Sequence, residues 1–343
     1  MSTTQSYPAL VSHDPNPSSV WKLENVTILR APGDRQVKGR LLATGICHSD
    51  IVVGSIPGGA MPGISYPRIL GDEGAGIVEA VGPGVTAAQV GDRPYCLNWM
   101  ALNVLGKPGL FEGANGETVL GDFFGQSSFA GASIISEGSV VNVENLVRDD
   151  EELKLLAPLG HDIVMVTGLG GVGLGAVMAA KITGCKEVIA VDRIGARLVL
   201  AKQLGATKAI DTSAGGSDLV AEAAKVVDGQ RISIVIETTG AVPVILACME
   251  AMGKRGRHIQ LGVPPQGAEF KSPLSTFFSD SKRFECHFLG ETTGQAHILK
   301  MIKWYREGKL PLEKLIKFFP AKHAMEAMQS MQDGSSIKAV IVW

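Results

Sequence analysis

The chain has 343 residues, of which 45% are hydrophobic and 19% charged, and its formal net charge is −2. That length predicts two domains sharing a cleft, and the balance is that of a soluble globular protein, with no basic footprint for nucleic acid. Its five cysteines, Cys47, Cys96, Cys185, Cys248 and Cys286, stand singly with no C-x-x-C pair, which excludes a disulfide framework and predicts a reducing, cytoplasmic setting.

In chain order, residues 1–20 are polar with prolines and lack the charged-then-apolar pattern of an export signal. Short strand-like runs follow at Val26–Leu29, Gly39–Thr44, Ala75–Val81 and Phe129–Val143, broken by Gly and Pro. They predict a small β-rich domain. The apolar stretch Leu155–Ile182 is interrupted by His161, Asp162 and several glycines, so it reads as a buried strand and its helix rather than a membrane span.

The run Asp162-Ile-Val-Met-Val-Thr-Gly168-Leu-Gly170-Gly-Val-Gly173 delivers an apolar strand into a G-x-G-x-x-G turn. Such a turn cradles a dinucleotide: Gly168 permits the tight turn, Gly170 lets backbone approach the pyrophosphate, and Gly173 lets the following helix, Leu174–Thr183, pack closely. The helix N-terminus would face the phosphates, with Gly171 and Val172 in the turn. A second strand, Glu187–Val191, ends in Asp192, about twenty residues on, which suits a carboxylate for the adenosine ribose hydroxyls. Asp192 argues for NAD(H), while the adjacent Arg193 keeps NADP(H) open.

Strands at Ile163–Val166, Glu187–Val191, Ala209–Ile210, Ile232–Ile236, Arg257–Leu261 and Glu285–Leu289 alternate with helices at Ala196–Leu204, Leu219–Val227 and Pro243–Met252, the last stopped by Gly253. This is the pattern of an α/β Rossmann fold, a doubly wound parallel sheet. After Gly290 a helix carries Ile298, Met301, Ile302 and Tyr305 on one face. An amphipathic stretch, Ala321–Met331, then has Met325, Met328 and Met331 as a packed face, and a last strand covers Ile337–Trp343.

Several of these segments together resemble the medium-chain, zinc-type alcohol dehydrogenases: Ala43-Thr-Gly-Ile-Cys-His-Ser-Asp50, Gly71-Asp-Glu-Gly-Ala-Gly-Ile-Val-Glu-Ala-Val-Gly82, Gly91-Asp-Arg93, the Gly168–Gly175 turn, Gly262-Val-Pro-Pro265 and Ser336-Ile-Lys-Ala-Val-Ile341. Phe123-Phe-Gly-Gln-Ser-Ser-Phe129 and Lys314-Leu-Ile-Lys-Phe-Phe-Pro320 resemble the aryl (benzyl) alcohol dehydrogenase branch. The resemblance implies a GroES-like β-rich catalytic domain over 1–160, completed by 291–343, and a Rossmann dinucleotide-binding domain over 161–290. It implies that Cys47 is a metal ligand, Ser49 the hydroxyl that relays the alcohol proton, Asp50 a supporting carboxylate and Glu73 the carboxylate beside the metal. By the same resemblance, His48 lies near the pyrophosphate, Val172 behind the nicotinamide, Val263 contacts the carboxamide through its backbone, and Lys338 partners a phosphate. A homodimer or homotetramer follows from the same source.

The chain departs from that family at its metal positions. The family's second ligand is a histidine where this chain has Asp72, and an oxygen donor there makes a harder, more anionic site. For the third ligand, either His161 replaces the family's cysteine, giving Cys47, Asp72 and His161, or the ligand is deleted and His161 only leads into the strand. The loop after Arg93 offers Cys96 where the family's structural zinc needs four cysteines, so that structural zinc is expected to be absent. Cys47 also suits an ordinary interior cysteine, and His258 and His287 need no role.

The expected activity is that of a nicotinamide-dependent oxidoreductase interconverting an aryl or other apolar alcohol and its aldehyde or ketone, atypical or zinc-independent, with Cys47, Ser49, Asp72 and Glu73 lining the site. Two alternatives stand beside it: a zinc-free reductase of a conjugated double bond, and a redox-inactive dinucleotide-binding protein.

Overall fold

The computed structural model describes residues 5–15, 20–60, 63–97, 107–121, 123–142, 165–185, 187–214, 218–227, 232–269, 271–272, 274–287 and 294–343. The chain divides into two compact units. One comprises Met1–Leu159, Thr293–Glu307 and Leu312–Trp343, and the other Gly160–Thr292 and Gly308–Pro311.

The first unit begins with β1 (Ser6–His13), β2 (Val20–Ile28), β3 (Gln36–Gly45), α1 (His48–Val53), β4 (Arg68–Ile69) and β5 (Glu73–Val81). It continues with β6 (Pro94–Leu97), β7 (Lys107–Gly113), β8 (Thr118–Gly121), β9 (Ala132–Ser136) and β10 (Val140–Asn142). The second unit contains β11 (Val166–Thr167), α2 (Gly171–Ile182), β12 (Ile189–Asp192), α3 (Gly195–Leu204), β13 (Lys208–Asp211) and α4 (Leu219–Val227). After these come β14 (Ile232–Glu237), α5 (Val242–Ala251), β15 (Met252–Gln260), α6 (Leu274–Asp280) and β16 (Arg283–Cys286). The chain then rejoins the first unit through α7 (Gly294–Arg306), β17 (Ile316–Pro320), α8 (Ala324–Gln332) and β18 (Lys338–Val342).

In the first unit β1-β2-β7-β8-β4 close into a barrel, and a second sheet runs β10-β6-β5-β3-β18-β17, with β9 also paired to β3. The core is built where apolar residues of these strands meet: Leu10, Val11, Ile69, Leu70, Phe111, Phe129 and Ile341 are buried together. The C-terminal strand is central, since β18 pairs with both β3 and β17. A barrel leaves no free edge among its strands, which suits short strands broken by Gly and Pro.

The second unit is the expected doubly wound sheet, in order β13-β12-β11-β14-β15-β16 with every pairing parallel. The order reverses between β11 and β14, the switch point at which such sheets bind ligands beyond the carboxyl ends of their strands. Helix α2 is nearly all small or apolar and buries Gly173, Leu174, Ala176, Val177, Met178, Ala179 and Ala180, so it can lie close on the sheet.

Several expectations change. The run Phe129–Val143 is two strands, β9 and β10, separated by a 3-10 turn at Glu137–Ser139, where Glu137 accepts the Ala87 N–H at 2.7 Å and anchors the neighbouring loop. Gly253 does not stop helix α5: Met252 already takes an extended conformation and the chain passes directly into β15, with Gly253 inside that strand. Helix α2 starts at Gly171, three residues before the expected Leu174. Strands β1, β7, β8 and β17 carry too little uninterrupted alternation to be read locally. In α8 Met328 is buried and Met331 packs on the core, but Met325 is 47% exposed, because three-residue steps drift around a helix of 3.6 residues per turn. Asp162, Ile163, Val164 and His161 lie outside the described residues, as does the loop following Leu97. Among the described residues no helix is long and apolar enough to cross a membrane.

Candidate active site

In the first unit a buried cluster forms where β3 ends. Cys47 caps α1, and its backbone N–H donates to the Asp50 carboxylate at 2.8 Å, a reciprocal cap that holds the short helix closed. The other Asp50 oxygen accepts the Gly71 N–H at 2.9 Å. Asp50 is fully buried, so it clamps the start of α1 to the segment that carries Asp72 and Glu73 into β5. Gly71 has φ +94, and a Cβ there would lie 2.4 Å from the Phe129 nitrogen, so this turn admits only glycine. Gln126 fixes the backbone by donating to the Asp72 carbonyl at 2.7 Å.

The side chains converge. The Ser49 hydroxyl donates to Asp72 Oδ2 at 3.0 Å. Cys47 Sγ and one oxygen each of Asp72 and Glu73 lie within 4.8 Å of one another. Lys338 arrives from the far end of the chain because β18 pairs with β3, Val340 opposite Gly45. Its Nζ donates to Glu73 Oε1 at 2.8 Å and to the Ile46 carbonyl at 3.0 Å, and lies 2.7 Å from Glu73 Oε2.

Three carboxyl groups and a thiol thus share a buried space with one ammonium. Burial, then the neighbouring Glu73 charge, pushes Asp72 up to about 7, against the hydrogen bond from Ser49 and the charge of Lys338. Burial, then Asp72, holds Asp50 well above the carboxylate range despite its two backbone donors. The Cys47 thiol rises well above its ordinary value through burial of the sulfur and the charges of Asp72 and Glu73, although the residue as a whole is only half-buried. Burial disfavours the Lys338 ammonium, but Glu73, with Cys47 and Asp72 beyond it, outweighs that and holds it above its usual range.

Asp72 Oδ1 is buried with no hydrogen-bond partner. An orphaned carboxylate oxygen beside a cysteine sulfur and a second carboxylate is a donor set that fits a divalent cation, with mixed sulfur and oxygen ligands. Cys47 and Asp72 would hold it, with Glu73 beside them.

The sign of the resulting pH dependence is fixed. With its pKa raised from 3.8 to about 7, Asp72 binds more proton in the folded state than in the unfolded one across that interval. Its contribution to stability therefore falls as pH rises from about 4 to about 7 and is flat above. Chelator-treated protein should lose thermal stability over that window relative to Asp72→Asn. Parallel Tm profiles for the two would refute this.

In the second unit the glycine turn has the geometry its residues dictate. Gly168 has φ +89, and its N–H donates to the Val191 carbonyl at 2.9 Å. A Cβ on Gly173 would lie 1.9 Å from the Gly168 oxygen, whereas one on Gly170 would meet nothing within 4 Å. The turn is therefore tight at its ends and open at Gly170, where a pyrophosphate would approach. Asp192 accepts the Leu169 N–H at 2.6 Å and the Ile194 N–H at 2.8 Å, so it braces the glycine turn at the end of β12. Arg193 is exposed, Val172 is 39% exposed, and Val263 is 71% exposed with its carbonyl packed on Gly240. His48 opens α1, and its side chain is outside the described residues, as is His161.

Sequence reasoning missed Glu237, which is fully buried at the end of β14 and accepts from Thr239, Gly240 and Gln260. The signal was present: Ile232–Ile236 runs into an acid just as the strand Glu187–Val191 runs into Asp192. His258 and His287 sit in and just after strands. His258 is buried, stacks on Phe284 and pairs with Gln260, while His287 lies 3.3 Å from Glu285.

Residues 171–306 match the family described as zinc-binding dehydrogenase, and residues 33–146 that described as alcohol dehydrogenase GroES-like domain. A geraniol dehydrogenase of Castellaniella defragrans is 32% identical, over 94% of each chain. Among solved structures, a zinc-binding-domain alcohol dehydrogenase protein of Burkholderia ambifaria matches with a TM-score of 0.86 at 27% identity, covering 98% of this chain and 99% of that one. The benzyl alcohol dehydrogenase of Acinetobacter calcoaceticus matches with a TM-score of 0.84 at 27% identity, with the same coverage.

Proposed function

The chain belongs to the medium-chain, zinc-type alcohol dehydrogenase family, and from that premise we propose that it interconverts an aromatic or other apolar alcohol and its aldehyde or ketone, with NAD(H) as the redox partner. The observation that carries this reading is the Ser49 hydroxyl, held 3.0 Å from Asp72 at the buried cluster of Cys47 and Glu73. A hydroxyl bonded to a carboxylate is a two-step path for the proton that an alcohol must lose as its carbon gives up hydride.

A bound nicotinamide cofactor would supply or accept the hydride. A zinc ion held by Cys47 and Asp72 would supply Lewis-acid polarisation of the substrate oxygen. The protein's own residues do the rest. With no metal on Asp72, in the oxidative direction Ser49 Oγ takes the substrate's hydroxyl proton and passes its own to Asp72 Oδ2, and reduction runs this in reverse. Asp50 keeps Ser49 and Asp72 in register by bridging Cys47 and Gly71. Lys338 keeps the carboxylates from being left as uncompensated charge. Asp192, at the end of β12, favours NAD(H), since a carboxylate there binds ribose hydroxyls and repels a 2′-phosphate.

The test is oxidation of NADH and of NADPH against a panel of aromatic aldehydes and conjugated enones, with the zinc content measured on the same sample. Turnover of the aldehydes with NADH is expected, with Ser49→Ala lowering kcat about 100-fold at unchanged KM for NADH. Binding of NADH without turnover anywhere on the panel would overturn the reading. Turnover confined to the enones would replace it with reduction of a conjugated double bond.

A further inference from the structure

Beyond the glycine turn, the carboxyl end of the parallel sheet is organised by one buried side chain. Glu237 ends β14 with no exposed surface. Its Oε1 accepts from the Thr239 N–H at 2.6 Å, from the Thr239 hydroxyl, and from the Thr167 hydroxyl at 3.3 Å. Its Oε2 accepts from the Gly240 N–H at 2.8 Å and from Gln260 Nε2 at 2.7 Å. Its backbone carbonyl accepts the Leu261 and Gly262 N–H groups, both at 2.9 Å. One residue therefore ties together the ends of β11, β14 and β15.

The two loops it gathers touch backbone to backbone. A Cβ on Gly240 would lie 2.3 Å from the Val263 oxygen, and one on Gly262 would lie 2.2 Å from the Gly240 nitrogen. Gln260 also donates to the Gly262 carbonyl at 2.7 Å, and its oxygen pairs with His258 Nε2 at 2.9 Å. Burial holds His258 below its usual pKa, although Gln260 and Glu237 favour its charge. The neutral ring that follows from this, with Nδ1 unpartnered, must carry its proton on Nε2. That orients the Gln260 amide so that its NH2 faces Glu237.

These loops lie on the opposite side of the switch point from Asp192. Asp192 braces the turn on the β12 side, where the adenosine half of a dinucleotide belongs, so the other half must lie over β14 and β15. We infer that Glu237 is a positioning residue for the nicotinamide half of the cofactor: it sets the Thr238–Gly240 and Gly262–Val263 loops that form that half's wall, leaving the adenosine half to Asp192. This rests on the proposed dinucleotide function.

Glu237→Gln tests it, because an amide offers one acceptor oxygen where the carboxylate offers two. Whichever way it turns, its NH2 confronts donors, either Thr239 or the pair Gly240 and Gln260. The probes are NADH and ADP-ribose, which lacks the nicotinamide. NADH should bind E237Q about tenfold more weakly than wild type, with loss of the fluorescence signature of the bound nicotinamide, while the affinity for ADP-ribose changes less than about twofold. Thr239→Val, at an exposed and more tolerant position, should shift NADH in the same direction by a smaller factor and serves if E237Q does not fold. Equal weakening of both ligands, or NADH affinity unchanged in whichever variant folds, would overturn the inference. Failure of the wild-type protein to bind either ligand would instead overturn the dinucleotide reading itself, and the inference with it.

Discussion

Lys338→Met should destabilise the metal-free protein by about 3 to 5 kcal/mol at pH 8, the cost of removing one partner of a buried ion pair. Methionine keeps the aliphatic stem, so the packing of β18 is conserved and the loss isolates the charge. Glu73, 6% exposed, would be left beside Asp72, also 6% exposed, with no cation in contact. The Ile46 carbonyl would lose its donor as well. Two secondary outcomes follow from the same electrostatics. The deficit should shrink as pH falls toward 5, where Asp72 takes up a proton, and it should shrink on addition of zinc, which replaces one cation by another. Urea titrations of wild type and K338M in chelator, repeated at pH 5 and with added Zn2+, measure all three. A K338M protein within about 1 kcal/mol of wild type at pH 8 would show that the pair is screened or rearranged.

Gly173→Ala should cost about 3 kcal/mol and weaken NADH binding at least about 100-fold, because overpacking here has no flexible neighbour to absorb it. The added Cβ would fall 1.9 Å from the Gly168 oxygen and 2.9 Å from Val166 Cγ1. Helix α2 must then withdraw from β11, taking with it the N-terminal amides that would face a pyrophosphate. Gly170→Ala is the matching control. Its Cβ meets nothing within 4 Å, so Tm should hold, yet the methyl stands where the pyrophosphate must approach and NADH should still bind more weakly. Calorimetric titration with NADH, set against thermal melts, separates the two. Equal Tm for G173A and wild type would mean that the helix does not pack as described.

The dinucleotide-binding sheet was legible because its signals are local. Apolar strands ending in Asp192 or running into Gly168, and helices such as Leu219–Val227, are each decided by residues a few positions apart. The strands of the first unit were harder to read. Their length and register come from partners far away in sequence, as where β1 pairs with both β2 and β4. The expected stop at Gly253 failed for a related reason: pairing of Met252 with Ile232 extends the backbone one residue earlier. In the site, Cys47, Ser49, Asp72 and Glu73 were identifiable from the resemblance to the family, and the structure brings them into one cluster. Asp50 was readable as a supporting carboxylate and Glu237 as an acid ending an apolar strand, but the groups each of them ties together were not, since those are backbone donors that only the folded loops present.

By itself the sequence determined the class of fold, the cofactor turn and the residue types at the site, including aspartate where the family has histidine. Only the tertiary structure decided how those residues are charged and held. Lys338 and Glu73 are 265 positions apart and Ser49 and Asp72 are 23 apart, and the register of β18 on β3 and the Asp50 clamp on Gly71 set their distances. Propensity and periodicity act over one or two turns of chain, whereas the protonation of a buried carboxyl depends on every charge and donor that folding brings within a few ångströms.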